Sequence, residues 1–381
     1  MTGCLHIKNG TYYIVLSYYE NGKRKRPWIS TGLPAKGNKR KAEQMLREKL
    51  AEYELKCGDI RTDILLSDYV RYWLTVVKRK VDEVTYQGYE ILANGHVLPY
   101  FDSTSLRLQD VTTRTLQAYI DEKAASGRKD GQGGLSPRSL RLHKNILHQT
   151  LEEAVKAGLL PANPCRHLIL PKTERYPAAF YTPEQLQQLF AAIRDEPLCP
   201  LVKVTALYGL RRSEVLGLKW DSIDFDAGTV TICHTVSKVS RPVEKDKTKN
   251  ESSFRSFPLV PEARSIFLAA KREEETNRRL FGKEYHENEY VFKWPDGHPY
   301  SPDYATDKFS KLLKKHGLPH IRFHELRHSC ASYLINIGFN LKDIQEWMGH
   351  SDIKMTANIY GHLDVRRKQS MAAGLSNLFL S

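Results

Sequence analysis

A cluster of prolines near the middle of the chain places the strongest constraint on its fold. Four prolines occur within 17 residues, and each fixes φ and lacks the N–H group that a helix or a central strand requires. They are Pro161, Pro164, Pro171 and Pro177. The cluster predicts an extended linker over residues 161–178, with separate domains before and after it.

The segment before this linker, residues 63–160, predicts a small helical bundle. Apolar residues recur there at helical spacing, and four helices are expected. They cover residues 67–77 (with a cap at Asp63 or Ser67), 85–98, 112–125 and 136–156. Pro137 suits the first turn of the last helix. Basic side chains lie along that helix, and the candidate DNA contacts on it are Arg138, Arg141 and Lys144.

The first 60 residues predict a small basic domain. Aromatic and β-branched residues at 11–19 are typical of a strand, and Asn21-Gly22 is a hairpin turn signal, so a hairpin is expected over residues 11–31. A helix follows at about 38–57. Basic residues next to aromatic ones on a short sheet favour contact with a nucleic-acid groove, although a solvated charged face is the plainer alternative. The candidate DNA contacts are Lys23, Arg24, Lys25, Arg26 and Trp28.

The charge balance indicates the kind of partner. Among 381 residues, 58 Lys and Arg stand against 44 Asp and Glu, and the formal net charge of +14 favours nucleic acid ahead of an anionic membrane. No signal peptide and no 20-residue apolar span is recognisable, and the six cysteines form no C-x-x-C pair. The expectation is a cytoplasmic protein without structural disulfides and without a membrane partner.

The segment HELRH at residues 324–328 fits two different enzymes. As H-E-x-x-H on a helix it resembles the zinc-protease motif, with Glu346 as a candidate third ligand. As H-x-x-R-H it places an acid–base histidine and a guanidinium one turn apart, where both can reach a phosphate. Arg327 beside a dication and the basic, intracellular character of the chain count against zinc, so no metal is expected.

Metal-free cleavage of a phosphodiester needs cations for the non-bridging oxygens, a nucleophile and a proton donor. The half of the chain after the linker offers each of these. Arg211 begins an apolar-faced helix, a lysine-rich segment covers residues 245–250, and Tyr360 follows His350 by ten residues. Arginine suits the first role because its planar fork pairs with phosphate oxygens in a bidentate manner.

These segments resemble the tyrosine recombinases, the phage integrase family, in the order Arg, Lys, His-x-x-Arg, His and Tyr. The preceding segments are similar to the helical core-site domain and the three-stranded arm-site domain of mobile-element integrases. The resemblance implies an α+β fold that is mainly helical with small β-sheets. It implies an arm-binding domain at residues 1–60, a core-binding domain at 63–160, the linker at 161–178 and a catalytic domain at 179–381. It implies no cofactor.

The resemblance also implies roles for the residues around the phosphate. Arg211 and Arg327 would hold the non-bridging oxygens, and His350 would donate a hydrogen bond to the phosphate. Glu214 matches an acidic position that supports such a site. The Gly-Leu-Arg context favours Arg211 over its neighbour Arg212.

The remaining roles concern the nucleophile and its protons. Tyr360 would attack the phosphate, forming a 3′-phosphotyrosyl bond and freeing a 5′-hydroxyl. Lys247, chosen from several nearby lysines for its Lys-Thr-Lys context, would protonate the leaving 5′-oxygen. His324 would handle the proton of the nucleophile.

The implied function is site-specific recombination that integrates or excises a mobile element. The implied partners are double-stranded DNA at core and arm sites, three further copies of this chain in a homotetramer, and an accessory DNA-bending or excision factor. The amphipathic residues 366–381 would dock on a neighbouring protomer. A topoisomerase-like nicking and resealing enzyme, a DNA-binding regulator and the zinc hydrolase are the alternatives.

Overall fold

The structure is a computed structural model that describes residues 2–20, 23–46, 49, 64–172, 179–239, 242–245 and 254–353. The chain divides into two compact units, Met1–Thr173 and Glu174–Ser381. Its elements are mainly helices with small antiparallel sheets, so the predicted α+β class is confirmed. Among the described helices, none is long and apolar enough to cross a membrane.

The chain begins with an antiparallel sheet. Its strands are β1 (Thr2–Lys8), β2 (Thr11–Glu20), β3 (Lys23–Lys25) and β4 (Trp28–Pro34). β3 and the first part of β4 pair with β2 in one register, since Glu20 faces Lys23 and Val15 faces Trp28, and the register of β4 shifts between Thr11 and Tyr13. Pro27 has no N–H group and interrupts them, so the four strands form a three-stranded layout. The predicted hairpin is confirmed by this pairing.

The resemblance implied a three-stranded sheet, but the residue pattern did not locate β1, although a turn signal precedes β2. Asn9 and Gly10 both have positive φ, 50° and 74°, and they join β1 to β2 in a two-residue loop in which Lys8 faces Thr11. Two positive φ values are the requirement of a type I′ hairpin turn, which Asn-Gly satisfies with little strain. The helix expected at 38–57 is seen at residues 39–46, and its remaining part lies largely outside the described residues.

The helical part of the first unit follows the sequence prediction closely. Its helices are α1 (Leu66–Val77), α2 (Glu83–Leu92), α3 (Leu98–Thr104), α4 (Thr113–Ser126) and α5 (Pro137–Lys156). Thr112 and Ser136 cap α4 and α5 with their side chains, and the predicted ranges 112–125 and 136–156 agree with these helices to within one residue. The expected cap of α1 was wrong, since Leu65 holds that position and makes no side-chain bond.

The single helix expected over 85–98 is divided in the structure. α2 ends at Leu92, a π-helical turn covers Ala93–Val97, and α3 begins at Leu98. The N-cap residue of α2 is Asp82, whose side chain accepts from the Val84 amide. The helices enclose an apolar core that includes Trp73, Phe101, Leu116, Tyr119 and Leu147.

The second unit is built from seven helices and short strands among the described residues. The helices are α6 (Pro183–Ala192), α7 (Cys199–Tyr208), α8 (Arg212–Leu216), α9 (Pro261–Phe281), α10 (Pro302–Lys315), α11 (Glu325–Asn336) and α12 (Leu341–Met348). The strands are β5 (Ile223–Asp224), β6 (Thr229–Ile232), β7 (Thr235–Lys238), β8 (Pro242–Lys245) and β9 (Arg255–Pro258).

These strands form two small sheets. β6 lies between β5 and β9, whereas β7 and β8 form a separate antiparallel pair. β6 pairs with β9, so Thr229–Ile232 and Arg255–Pro258 lie side by side. The core of this unit gathers apolar residues of α7, α8, β6, β9 and α10, so the ends of α7, α8 and α12 are held against a packed interior.

Candidate active site

Two helix ends in the second unit receive the guanidinium of Arg327. Gly209 ends α7 and Gly349 ends α12, each in the left-handed conformation with φ of 63°. Arg327 donates through Nη1 to the Gly209 carbonyl at 2.6 Å and through Nη2 to the Met348 carbonyl. The last carbonyls of a helix carry partial negative charge, so cations are stabilised there. Arg327 is only 1% exposed, and these carbonyls hold it in place.

Arg211 reaches the same helix end from another direction. It precedes α8, and its Nη2 donates to the Gly349 carbonyl at 2.9 Å, one residue from the carbonyl that Arg327 uses. Burial and the charge of Arg211 lower the pKa of Arg327 to about 9. Two positive groups are therefore held close together, and Arg327 remains charged at neutral pH.

Glu214 is the carboxylate of this cluster. It is 1% exposed and accepts from the Arg211 amide at 2.8 Å and from Arg211 Nη1 at 2.6 Å. Arg255 donates to it through Nη1 at 3.2 Å and Nη2 at 2.9 Å. Burial alone raises the pKa of Glu214, but the hydrogen bonds and charge of Arg255, with the charge of Arg211, lower it to about 2. Glu214 is thus ionised at every physiological pH.

Arg255 is the residue of this cluster that the sequence interpretation missed. It lies at the start of β9, and its Nε donates to the Trp347 carbonyl at 3.1 Å. The guanidiniums of Arg211 and Arg255 therefore share one carboxylate, and the charge of Arg327 interacts with it from farther away. A buried group with this excess of positive charge favours an anion.

The histidines add neutral groups beside these cations. His324 caps α11, and its ring lies 5.3 Å from that of His328 between centroids. Part of its surface is open to solvent, yet protein atoms surround the rest, and this burial together with the charges of His328, Arg327 and Arg211 lowers its pKa. His350 is buried just after α12, and burial with the charges of Arg327 and Arg211 lowers its pKa to about 3. Both imidazoles are neutral at pH 7.

The two carboxylates of the zinc interpretation have other partners. Glu325 accepts from the Arg322 amide at 2.6 Å and from its Nε and Nη2 at 3.1 and 2.7 Å. Glu346, the candidate third ligand, is exposed and pairs with Lys342 at 3.3 Å. Glu325 is therefore a buried capping group for the turn before α11.

Adjacent Arg211 and Arg212 have different surroundings. Arg212 donates to the Pro302 carbonyl at 3.3 Å and to Thr306 Oγ1 at 2.7 Å, so it ties α8 to the start of α10. The structure brings together Arg211, His324, Arg327 and His350, as their electrostatic interactions show. Lys247 and Tyr360 lie outside the described residues, so their predicted roles stay predictions.

The candidate DNA contacts are distributed over two elements of the first unit. Arg138 and Arg141 are exposed on α5, whereas Lys144 is half-buried and donates to the Leu168 carbonyl at 2.8 Å. Trp28 on β4 is 53% exposed, and its ring lies 5.2 Å from that of His6 and 6.3 Å from that of Tyr13.

On the basic strand β3, the side chain of Lys25 is exposed, as is that of Arg26 just after it. The side chains of Lys23 and Arg24 lie outside the described residues. The five candidates of this sheet, like those of α5, stay predictions.

Comparison with known proteins identifies the family. The model of the phage integrase family matches residues 179–367, and that of the phage integrase N-terminal SAM-like domain matches residues 65–124. The chain is 27% identical over 407 aligned residues to a tyrosine recombinase XerC-like protein of Caldanaerobacter subterraneus subsp. tengcongensis, with 98% of each covered. It is 30% identical to the tyrosine recombinase XerC of Xylella fastidiosa, over 65% of this chain and 76% of that protein.

Solved structures show the same fold. The Tn1549 transposon integrase in complex with a circular intermediate DNA matches with a TM-score of 0.66 and 20% identity, covering 82% of this chain and 99% of that one. A lambda integrase tetramer bound to a Holliday junction matches with a TM-score of 0.56 and 17% identity, covering 91% and 95%.

The chain therefore belongs to the phage integrase family of tyrosine recombinases, and it is a site-specific DNA recombinase. Membership of this family, together with the partners of Glu325 and Glu346, decides against the zinc hydrolase.

Proposed function

We propose that this recombinase cleaves and rejoins DNA through a 3′-phosphotyrosyl bond to Tyr360, using Arg211 and Arg327 to hold the scissile phosphate. The observation that carries the proposal is the anchoring of these two guanidiniums on the adjacent carbonyls of Met348 and Gly349. Planar guanidiniums can donate in pairs to phosphate oxygens, and their charge supplies what metal ions supply in other phosphoryl-transfer sites.

The chemical step balances with the residues at hand. The Tyr360 oxygen attacks phosphorus, its proton passes to the neutral His324 imidazole, and the bond from phosphorus to the 5′-oxygen breaks. Lys247 gives its proton to that 5′-oxygen, and His350 donates a hydrogen bond to the phosphate. A neutral His324 is required here, which agrees with the lowering of its pKa by burial and nearby charges. Resealing is the reverse reaction and consumes no nucleotide.

We also propose how the chain is divided for this task. An arm-binding domain would cover residues 1–60, a core-binding domain 63–160, a linker 161–178 and a catalytic domain 179–381. The match of the SAM-like model at 65–124 and of the integrase model at 179–367 supports the two larger domains. The exposed groups of Arg26, Trp28, Arg138 and Arg141 would contact DNA directly.

The proposed assembly is a homotetramer on two DNA sites. Residues 366–381 would dock on a neighbouring protomer, and an accessory DNA-bending factor would set the direction of the reaction. Sedimentation of the full chain and of a chain ending at residue 365 on paired sites tests this assembly. Equal tetramer formation by both would contradict the role of the tail.

A suicide substrate tests the chemistry. The substrate is a duplex selected for tight binding from random sequences and nicked near its centre, so that the fragment carrying the freed 5′-hydroxyl diffuses away and the adduct accumulates. The wild-type chain should form a covalent adduct in EDTA, and Tyr360→Phe should bind the duplex but form none. Cleavage without an adduct, or an adduct that survives in Tyr360→Phe, would overturn the proposal.

A further inference from the structure

Arg255 occupies a central place among the residues described above, yet no step of the reaction has been assigned to it. Its side chain is 8% exposed and meets both oxygens of Glu214. Its Nε donates to the Trp347 carbonyl, and its guanidinium lies 5.1 Å from the centre of the Phe257 ring. All of these contacts are made with protein groups, so we expect Arg255 to act on its neighbours.

Those neighbours belong to three elements that carry the reaction. Glu214 lies on α8, which Arg211 precedes, and Trp347 lies on α12, just before Met348 and His350. Arg255 itself opens β9, the strand that follows the lysine-rich segment in the chain. One side chain therefore connects the segment of Arg211 and Glu214 with the end of α12 before His350.

The contacts of Glu214 show why a second guanidinium is needed there. Arg211 faces this carboxylate from the cap of α8, Arg255 faces it from β9, and Arg327 on α11 adds its charge from farther away. Burial favours the neutral acid, and Arg255 is the strongest influence that opposes it. A neutral acid would hold Arg211 less firmly, because the charge-assisted part of the hydrogen bond would be lost.

We propose that Arg255 is a positioning residue of the recombination reaction, which holds Glu214 so that Arg211 is aimed at the scissile phosphate and fixes the end of α12 in front of His350. This inference rests on the proposed function. It concerns Arg211 and His350 acting on the phosphate, whereas Arg255 itself acts through them.

The experiment measures single-turnover adduct formation by the full chain at saturating duplex between pH 5 and 9. Arg255→Gln should lower the rate at pH 8 by about 10- to 100-fold, the range that small displacements of catalytic groups produce. Its rate should also fall as the pH drops, because Glu214 without Arg255 takes up a proton at a higher pH than in the wild type, where its pKa is about 2.

A second variant separates this effect from loss of structure. In Arg255→Gln with Glu214→Gln, no carboxyl remains at this position to titrate, so the fall in rate at low pH that is specific to Arg255→Gln should disappear. Arg264→Gln is the matched control, since Arg264 also donates to a carbonyl, that of Phe225, at 2.7 Å and lies 5.5 Å from the ring of Phe225, with no carboxylate contact at Glu214. It should react at the wild-type rate and with the wild-type pH profile.

The outcomes are distinct. Three results would each overturn the inference. They are a wild-type rate in Arg255→Gln, a lower rate in this variant without the further fall at low pH, and a fall at low pH that persists in the double variant. If Arg255→Gln does not fold, Arg255→Lys is the deciding variant, because an ammonium keeps Glu214 ionised but cannot contact both of its oxygens. A rate of adduct formation about tenfold lower, with a wild-type pH profile, supports the inference. An unchanged rate overturns it. Absence of any adduct in the wild type would overturn the proposed function instead.

Discussion

Two buried glutamates in the second unit make the same local structure and have different surroundings. Glu214 accepts from the backbone and the guanidinium of Arg211, and Glu325 accepts in the same way from Arg322, each three residues earlier in the chain. The Arg211–Glu214 pair forms the capping box of α8, in which Arg211 holds the N-cap position. The Arg322–Glu325 pair instead closes the turn just before α11, whose N-cap position is held by His324.

The difference lies in what each arginine meets next. The Arg322 side chain is 69% exposed, whereas that of Arg211 is 29% exposed and continues to the Gly349 carbonyl. Glu214 also receives Arg255, which lies 41 residues away in sequence. Tertiary contacts, and not the local pattern, therefore place Arg211 and Glu214 in one cluster with Arg255 and Arg327.

The largest expected effect is the difference in reaction rate between substitutions of Arg211 and of Arg322. Arg211→Ala should slow adduct formation by about 10³-fold, since removal of one preorganised donor to a reacting centre has effects of this order. Arg322→Ala should change the rate by less than about threefold, because its guanidinium faces solvent. Both variants are compared in EDTA at saturating duplex. Similar losses in the two would show that the caps are equivalent and would refute the distinction.

The next effect concerns folding stability at the two carboxylates. Glu214→Gln should lower the free energy of unfolding by about 3 kcal/mol, because the buried guanidinium of Arg255 and the partly buried one of Arg211 lose their counter-charge. Glu325→Gln should cost about 1 kcal/mol, the usual contribution of a cap with an exposed partner. Urea unfolding at pH 7 measures both. Equal costs would contradict the difference in surroundings.

The pH dependence of that stability has a definite sign. The pKa of Glu214 is lowered from 4.5 to about 2 on folding, so its contribution is complete above pH 4.5 and is lost as the pH falls toward 2. The difference in free energy of unfolding between wild type and Glu214→Gln should therefore become smaller below pH 4.5. A gap that stays constant down to pH 3 would show that Glu214 is not held as a carboxylate.

Local patterns predicted much of the site, for a physical reason. Arg211 with Glu214 and His324 with Arg327 are three residues apart, and this spacing places side chains on one face of a helix turn. Arg255 could not be found in this way. Its partners lie 41 and 92 residues away, and one of them, the Trp347 carbonyl, is a backbone group without any side-chain signature.

The fold shows the same division between local and distant information. The helices expected at 112–125 and 136–156 were predicted to within one residue, because Thr112 and Ser136 are residue types that cap helices and capping depends on the next three residues. The π-helical turn at Ala93–Val97 was not predicted, since the sequence around it keeps ordinary helical periodicity. The first strand was missed despite Asn9-Gly10, a signal that local rules could have used.

The smallest expected effect concerns the Gly209 carbonyl, which accepts a hydrogen bond from Arg327. Arg322 has no such support among its described contacts. Gly209 has φ of 63°, and an added Cβ would lie 2.7 Å from the Met348 side chain and 3.3 Å from Cys330 Sγ. Gly209→Ala should cost about 2 kcal/mol of stability. Gly317→Ala, with φ of 64° and open space around it, should cost about 1 kcal/mol. Thermal unfolding of both separates crowding from backbone strain, and equal costs would contradict close packing at Gly209.

Identification of the residue that carries the DNA tests the central claim most directly. The wild-type chain is trapped on the nicked duplex in EDTA, digested with nuclease and protease, and the nucleotide-linked peptide is sequenced by mass spectrometry. We expect a 3′-phosphate linked to the Tyr360 oxygen, formed at the same rate with and without EDTA. Linkage to any other residue, or cleavage that EDTA abolishes, would contradict the metal-free guanidinium site.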